Sequence, residues 1–179
     1  MAFFLRRPRR ATLWTALLAL GAIAFTLVQG LTRAPSSEAS AAAAGPIVAS
    51  AAVRIIDGDT FDLSGERIRL WGVDAPERRQ RCQTGEPGPE ATAALTRLIG
   101  DRAVSCSVRD TDRYGRTVAV CRAGGRDLGA EMVSEGWAWD YTHYSGGRYS
   151  AEEQGARAAQ RGVWAMGCEP AWDWRHSGG

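Results

Sequence analysis

One uncharged stretch divides this 179-residue chain before any fold is considered: ATLWTALLALGAIAFTLVQGL, Ala11 to Leu31, without a single ionisable side chain. As a helix it is about long enough to span the roughly 30 Å hydrocarbon core of a bilayer. Arg6, Arg7, Arg9 and Arg10 precede it and Arg33 follows. Such a basic flank keeps the N-terminus in the cytoplasm and sends the rest of the chain across. Residues 1–33 therefore read as an N-terminal membrane anchor, a transmembrane helix. A cleaved signal peptide is the competing reading, because Ala39, Ser40 and Ala41 offer an A-x-A site. The apolar run is longer than the roughly 7–15 residues of a signal-peptide core, which favours the anchor. Residues 34–50, APSSEASAAAAGPIVAS, carry no aromatic and one charge, and read as a flexible linker.

Either reading leaves residues 51–179 to fold as one domain outside the cytoplasm, periplasmic or extracellular, and secreted if the segment is cut. From residue 46 onward 17 Arg face 19 Asp plus Glu, a net charge of −2. A slightly acidic domain lacks the uniform basic field that coats a duplex non-specifically, so a nucleic-acid role needs a local arginine cluster or a bridging cation. Export also makes disulfides the expected state of Cys82, Cys106, Cys121 and Cys168. Four cysteines allow three connectivities, and no C-x-x-C pair points to zinc. SCSV and TVAVC read as strands around the turn DRYGR, with Cys106 and Cys121 symmetric about it. A hairpin there sets those two sulfurs opposite each other and leaves Cys82 for Cys168.

Along the domain, AAVRIIDGDTFDL and RIRLWGV are β-branched and alternate, so residues 51–73 read as a meander of short strands. GPEATAALTRLI, residues 88–99, lines Ala91, Ala94, Leu95 and Leu98 along one helical face and stops at Gly100. Strands are predicted at about 103–109 and 116–122. Asp127 then caps a short helix carrying Leu128, Met132 and Val133, and Ser150 with Glu153 forms a capping box for a last helix ended by Gly162. The fold class is α+β, mainly β: a five-stranded OB-type barrel with about three helices. The tail from Ala165 is predicted to pack on the domain, held by Cys168.

Two carboxylates, Asp57 and Asp59, stand in the turn DGDT, and Asp74 and Glu77 stand in DAPE just after a strand. Four carboxylates near strand ends suit a hard-oxygen calcium site, although DGDT taken alone is more often a hairpin turn and DAPE alone a solvated loop. Arg69 on RIRLW and Arg116 at the end of DRYGR each project a guanidinium from a strand end, and that planar fork fits phosphate. A surface ion pair is the bland reading for either. Tyr114, Tyr141 and Tyr144 are candidates to stack on unpaired bases. His143 and His176 stand in no nucleophile or ligand motif.

Taken together and in order, VRIIDGDTFDL, IRLWGVDAPE, GPEA, DRYGR, GWAW and RGVW resemble the staphylococcal-nuclease-like, or thermonuclease, family. The resemblance runs from about Val53 to Trp164. It implies a calcium-dependent nuclease acting on DNA and RNA, single strands preferred, that leaves 3′-phosphate ends. Carried over by position, Asp59 and Asp74 match the calcium carboxylates, the residue after Asp74 lends its backbone carbonyl (here Ala75), Glu77 matches the general base, and Arg69 and Arg116 match the phosphate-gripping arginines. Asp57 falls behind the ligands, orienting one of them or a water, or serving as a structural Asp turn. Tyr114 and Tyr144 fall near substrate-lining tyrosines, although the basic, tyrosine-rich loop of the family is replaced here by Asp140, Thr142, His143 and a Gly146–Gly147 pair. The alternative function is a tethered OB-type module that binds nucleic acid or protein without cleaving; loss of Glu77 or of either arginine would favour it, and all three are present.

Overall fold

The computed structural model describes residues 47–49 and 53–178. The anchor expected at Ala11–Leu31 lies outside the described residues, and among the described ones no helix is long and apolar enough to cross a membrane. The domain is a mixed α+β unit built on a six-strand sheet.

Among the described residues nine strands and five α-helices follow one another, with a 3-10 turn at Gly162–Trp164: β1 (Ile47–Ala49), β2 (Val53–Ile55), β3 (Thr60–Leu63), β4 (Glu66–Leu70), β5 (Val73–Asp74), α1 (Pro87–Ile99), β6 (Val104–Thr111), β7 (Thr117–Ala123), β8 (Arg126–Asp127), α2 (Leu128–Ser134), β9 (Trp139–Asp140), α3 (Thr142–Ser145), α4 (Ser150–Ala158) and α5 (Ala171–His176). The main sheet runs β1-β6-β7-β4-β3-β2, with β8 on β7, and β5 pairs with β9 in a second, two-stranded sheet. β1 takes three residues that composition assigns to the linker, and its partner is β6.

Local chemistry explains the turns. Ser64 and Gly65 both have positive φ, 54° and 88°, the two-residue turn that suits the twist of the β3–β4 hairpin. The Asp-Gly signal is a hairpin as well: Ile56 N and Asp57 N both donate to Thr60 O, closing the β2–β3 turn. In the β6–β7 hairpin Cys106 lies directly opposite Cys121. Their sulfurs are bonded, with Cα atoms 4.1 Å apart. The register slips by one between Val108 and Asp110, a bulge that lets the turn centre on Tyr114.

Leu63, Ile68, Leu70, Ala119 and Cys121 from the sheet pack on Ala91, Leu95 and Leu98 of α1 and on Leu128 and Met132 of α2, all buried. Each large side chain so buried is worth about 1.5–3 kcal/mol. Asp127 caps α2 as expected, its carboxylate accepting from Gly129 N and Ala130 N. The capping box at α4 does not form. Ser150 lies inside the helix, Glu153 accepts from Asp140 N at 3.0 Å, and α4 ends at Ala158, because Gln160 turns to a positive φ of 50° ahead of Gly162.

The tail folds back onto the domain. Cys168 is bonded to Cys82 across 86 residues. Trp139, Val163 and Ala171 make a second small core there with Trp164 and Trp172. The fully buried Gln80 donates to Glu169 O at 2.8 Å and accepts from Glu77 N at 3.1 Å, which ties this arm to the Glu77 loop.

Candidate active site

Sheet register alone gathers the arginines. Thr60 on β3 pairs with Arg69 on β4, and on the other side of β4 the parallel strand β7 sets Val118 beside Arg69. Arg116 directly precedes β7, so it emerges at the same end of the sheet. Asp59 closes the turn into β3, and Asp74 lies in β5, fully buried.

The side chains join in one network. Arg69 Nη1 donates to Asp59 Oδ1 at 3.0 Å, and its Nη2 donates to Asp74 Oδ1 at 2.8 Å. Asp59 also accepts from Thr60 Oγ1 at 2.8 Å and from Ala75 N at 3.2 Å. Arg116 reaches the network through Thr60, with Nη1 3.4 Å from Oγ1, while its Nε donates to Asp112 Oδ2 at 2.6 Å. From the arm, Arg175 Nη2 donates to Asp74 Oδ2 at 2.8 Å and its Nη1 donates to Glu77 Oε1 at 2.6 Å.

Two glycines make this proximity possible. A Cβ on Gly58 would lie 2.7 Å from the Ala75 Cβ and 2.8 Å from the Ala91 Cβ, so the DGDT turn packs directly on α1 and on the segment after Asp74. A Cβ on Gly88 would lie 2.6 Å from Glu77 O and 2.8 Å from the Arg78 Cα, so α1 abuts the Glu77 loop backbone to backbone.

Burial, reinforced by the charge of Asp59, pushes Asp57 up to about 6. Burial raises Asp74 as well, against the opposing pull of Arg175 and Arg69. Arg69 is driven above its ordinary value chiefly by the Asp59 carboxylate, so it stays charged despite its burial. Crowded, desolvated carboxylates are hard oxygen donors whose repulsion a divalent cation relieves, and in that sense the residues fit calcium. Among the described residues no three His, Cys, Asp or Glu side chains form a ready-made cage. Arg69 and Arg175 hold the oxygens that a cation would take.

An open groove of about 500 Å³ lies beside this network, lined by Asp62, Gly65, Arg67, Tyr114, Gly115 and Arg116. Tyr114 is 69% exposed there, with the Arg116 guanidinium 5.6 Å from its ring centre.

A family profile described as staphylococcal nuclease homologue matches residues 67–166. The chain belongs to the staphylococcal nuclease family. It is therefore a nuclease, a phosphodiesterase whose substrates are nucleic acids. Among its relatives is a micrococcal nuclease of Shigella flexneri, 34% identical over 142 residues, covering 70% of this chain and 79% of that one. Succinoglycan biosynthesis protein ExoI of Rhizobium meliloti (strain 1021) is 38% identical over 131 residues, covering 69% of this chain and 68% of that one. Protein ParB of Escherichia coli is 37% identical over 164 residues, covering 76% of this chain and 89% of that one.

Of the residues that the sequence singles out in this nuclease, Asp59, Arg69, Asp74 and Ala75 are in direct contact, Glu77 joins through Arg175, and Arg116 joins through Thr60. Asp57 accepts from Asp59 N at 3.1 Å, an Asp turn that also fixes the backbone of the next carboxylate. Tyr144, 60% exposed, is packed against Tyr141 and His143. Tyr141 in turn is stacked on Trp172 of α5 with ring centres 5.1 Å apart, so that face is already covered. Three participants escape the sequence reading: Thr60, Asp112 and Arg175. For Arg175 one signal existed, the i, i+3 spacing from Trp172 in a tail anchored by a cysteine.

Proposed function

We propose that this nuclease is calcium-dependent and hydrolyses single-stranded or unpaired DNA and RNA to 3′-phosphate ends at the network around Asp59 and Asp74. The observation that carries the reading is that Asp59 and Asp74 meet on the Arg69 guanidinium, with Arg116 joined through Thr60 and Glu77 through Arg175. Asp59, Asp74 and the Ala75 carbonyl are the groups that would hold the ion. When bound, calcium supplies positive charge beside the phosphate oxygens, where the transition state gathers negative charge.

The remaining steps belong to the chain. Arg69 and Arg116 bind non-bridging phosphate oxygens and hold the diester in line for attack. Glu77, half-exposed at the edge of the network, takes a proton from the attacking water. The 5′ oxygen leaves as the hydroxyl, taking up a proton from solvent, and the phosphate remains on the 3′ side. Tyr114, exposed in the groove beside Arg116, offers a face to an unstacked base, which favours single strands. Asp57 keeps the Asp59 backbone in place.

The order of the five central strands, β2-β3-β4-β7-β6, supports an OB-type barrel as the scaffold. Two disulfides suit a domain working outside the reducing cytoplasm. Residues 1–33 as a tether and 34–50 as its linker complete the proposal.

The test is digestion of labelled single-stranded DNA and RNA by the full chain with calcium, with magnesium and with a chelator, beside Arg69→Ala, followed by end-group analysis. Cleavage with calcium that stops on chelation, falls by orders of magnitude in Arg69→Ala and leaves 3′-phosphates is the expected result. Undiminished cleavage in chelator, or 5′-phosphate products, contradicts it.

A further inference from the structure

We propose that Arg175 is a third substrate-gripping arginine of the active site, brought in by the C-terminal arm and resting on Asp74 and Glu77 until a phosphodiester takes their place. This rests on the nuclease site proposed above, and it concerns a residue beyond the segment that matches the family.

The fold delivers Arg175 to this position by a short chain of neighbours. Asp74 and Trp139 are paired across β5 and β9. Trp172 packs edge-on against Trp139, ring centres 6.3 Å apart, and stacks on Tyr141. One helical turn on, Arg175 faces the same way as Trp172 and meets Asp74. The Cys82–Cys168 bond and the contacts of Gln80 fix the arm at its other end.

Three observations point to an anion as the partner awaited. Arg69 Nη2 and Arg175 Nη1 converge on one oxygen, Asp74 Oδ1, at 2.8 and 3.3 Å, so an anion replacing that oxygen meets both guanidiniums. A guanidinium on Glu77 neutralises the group assigned to accept a proton, so the reaction requires it to move away. The Arg175 side chain is 38% exposed whereas that of Asp74 is 1% exposed, which puts the fork at the mouth of the site. The planar fork that now bridges two carboxylates suits two phosphate oxygens equally well.

The experiment compares the full chain with Arg175→Gln and Arg175→Lys, folding being checked by near-ultraviolet circular dichroism. Cleavage of a short single strand gives KM and kcat, and calorimetry without nucleic acid gives calcium affinity. In Arg175→Gln we expect KM to rise about ten-fold, the loss of one charge-assisted contact, while calcium binds several-fold tighter because a cation competing for Asp74 is gone. Arg175→Lys, charged but without the fork, is expected to fall between. An unchanged KM in the folded Gln variant overturns the inference even if calcium binds tighter, since the arm is then only a plug. A wild-type chain that does not cleave in calcium is a different failure, that of the calcium-dependent site itself.

Discussion

Arg116 owes its aim to Asp112. The Asp112 carboxylate is buried enough to be disfavoured, yet the Arg116 and Tyr114 backbone N–H groups and the Arg116 guanidinium together hold it below its ordinary value. Replacing it by Asn removes a charge-assisted bond worth about 1.5–3 kcal/mol. We predict that Asp112→Asn lowers kcat/KM about ten-fold or more and also lowers stability by up to about that amount, read by steady-state kinetics at a temperature where a melting curve shows both proteins folded. Tyr149 carries a prediction about pH. Burial, with the Asp127 charge, pushes its hydroxyl up to about 12. A raised folded value means that its contribution is complete below the unfolded value near 10 and is lost as pH climbs from about 10 to 12, about 2–3 kcal/mol in all. Urea unfolding across that range should show wild type losing stability relative to Tyr149→Phe; parallel curves would contradict it. At this scale the choice of Asp59, Arg69 and Asp74 comes from the family resemblance rather than from spacing, and the register supplies its physical reason, since Thr60, next to Asp59, is paired with Arg69. Asp112 was hidden because an Asp opening a turn usually serves only its own backbone.

Among the elements, α1 and the β6–β7 hairpin set the geometry. Gly88 is helical, but what matters is the approach of the Glu77 loop, because a Cβ there meets backbone atoms at 2.6 and 2.8 Å that no side-chain rotation relieves. We predict that Gly88→Ala costs about 1–3 kcal/mol by overpacking, measured by urea denaturation, despite the better helix propensity of Ala. The Cys106–Cys121 bond closes a 15-residue separation, for which chain entropy gives about 3 kcal/mol. Replacing both by Ala should lower stability by about that amount. The helix at 88–99 and the cap at Asp127 were legible because periodicity and capping are local. The capping box at α4 was misread for a tertiary reason: Glu153 is drawn to the Asp140 backbone, a partner that no local pattern reveals. The GWAW and RGVW motifs likewise gain their meaning only in the fold, where Val163 N donates to Gly136 O and the two glycines meet.

At the scale of the molecule, a slightly acidic domain brings three of its arginines, Arg69, Arg116 and Arg175, to one network, while exposed ones such as Arg54, Arg81, Arg97 and Arg126 are paired with surface carboxylates. The Cys82–Cys168 bond then does two things: it spans 86 residues, and it keeps Arg175 at the site. That the tail packs on the domain through Cys168 was legible in the sequence, but where it sets Arg175 was not, since that depends on Gln80 and on aromatic contacts between segments far apart in sequence. Whether the network of Asp59, Arg69, Asp74 and Glu77 is the chemical centre of a calcium-dependent nuclease can be read from one rate. Single-turnover cleavage of an end-labelled single strand at saturating calcium is measured for the full chain and for Glu77→Gln. The expected result is a fall of about 10²–10⁴-fold, the usual contribution of a positioned general base. A Glu77→Gln variant that cleaves as fast as wild type would move the chemistry away from Glu77 and overturn its role as general base.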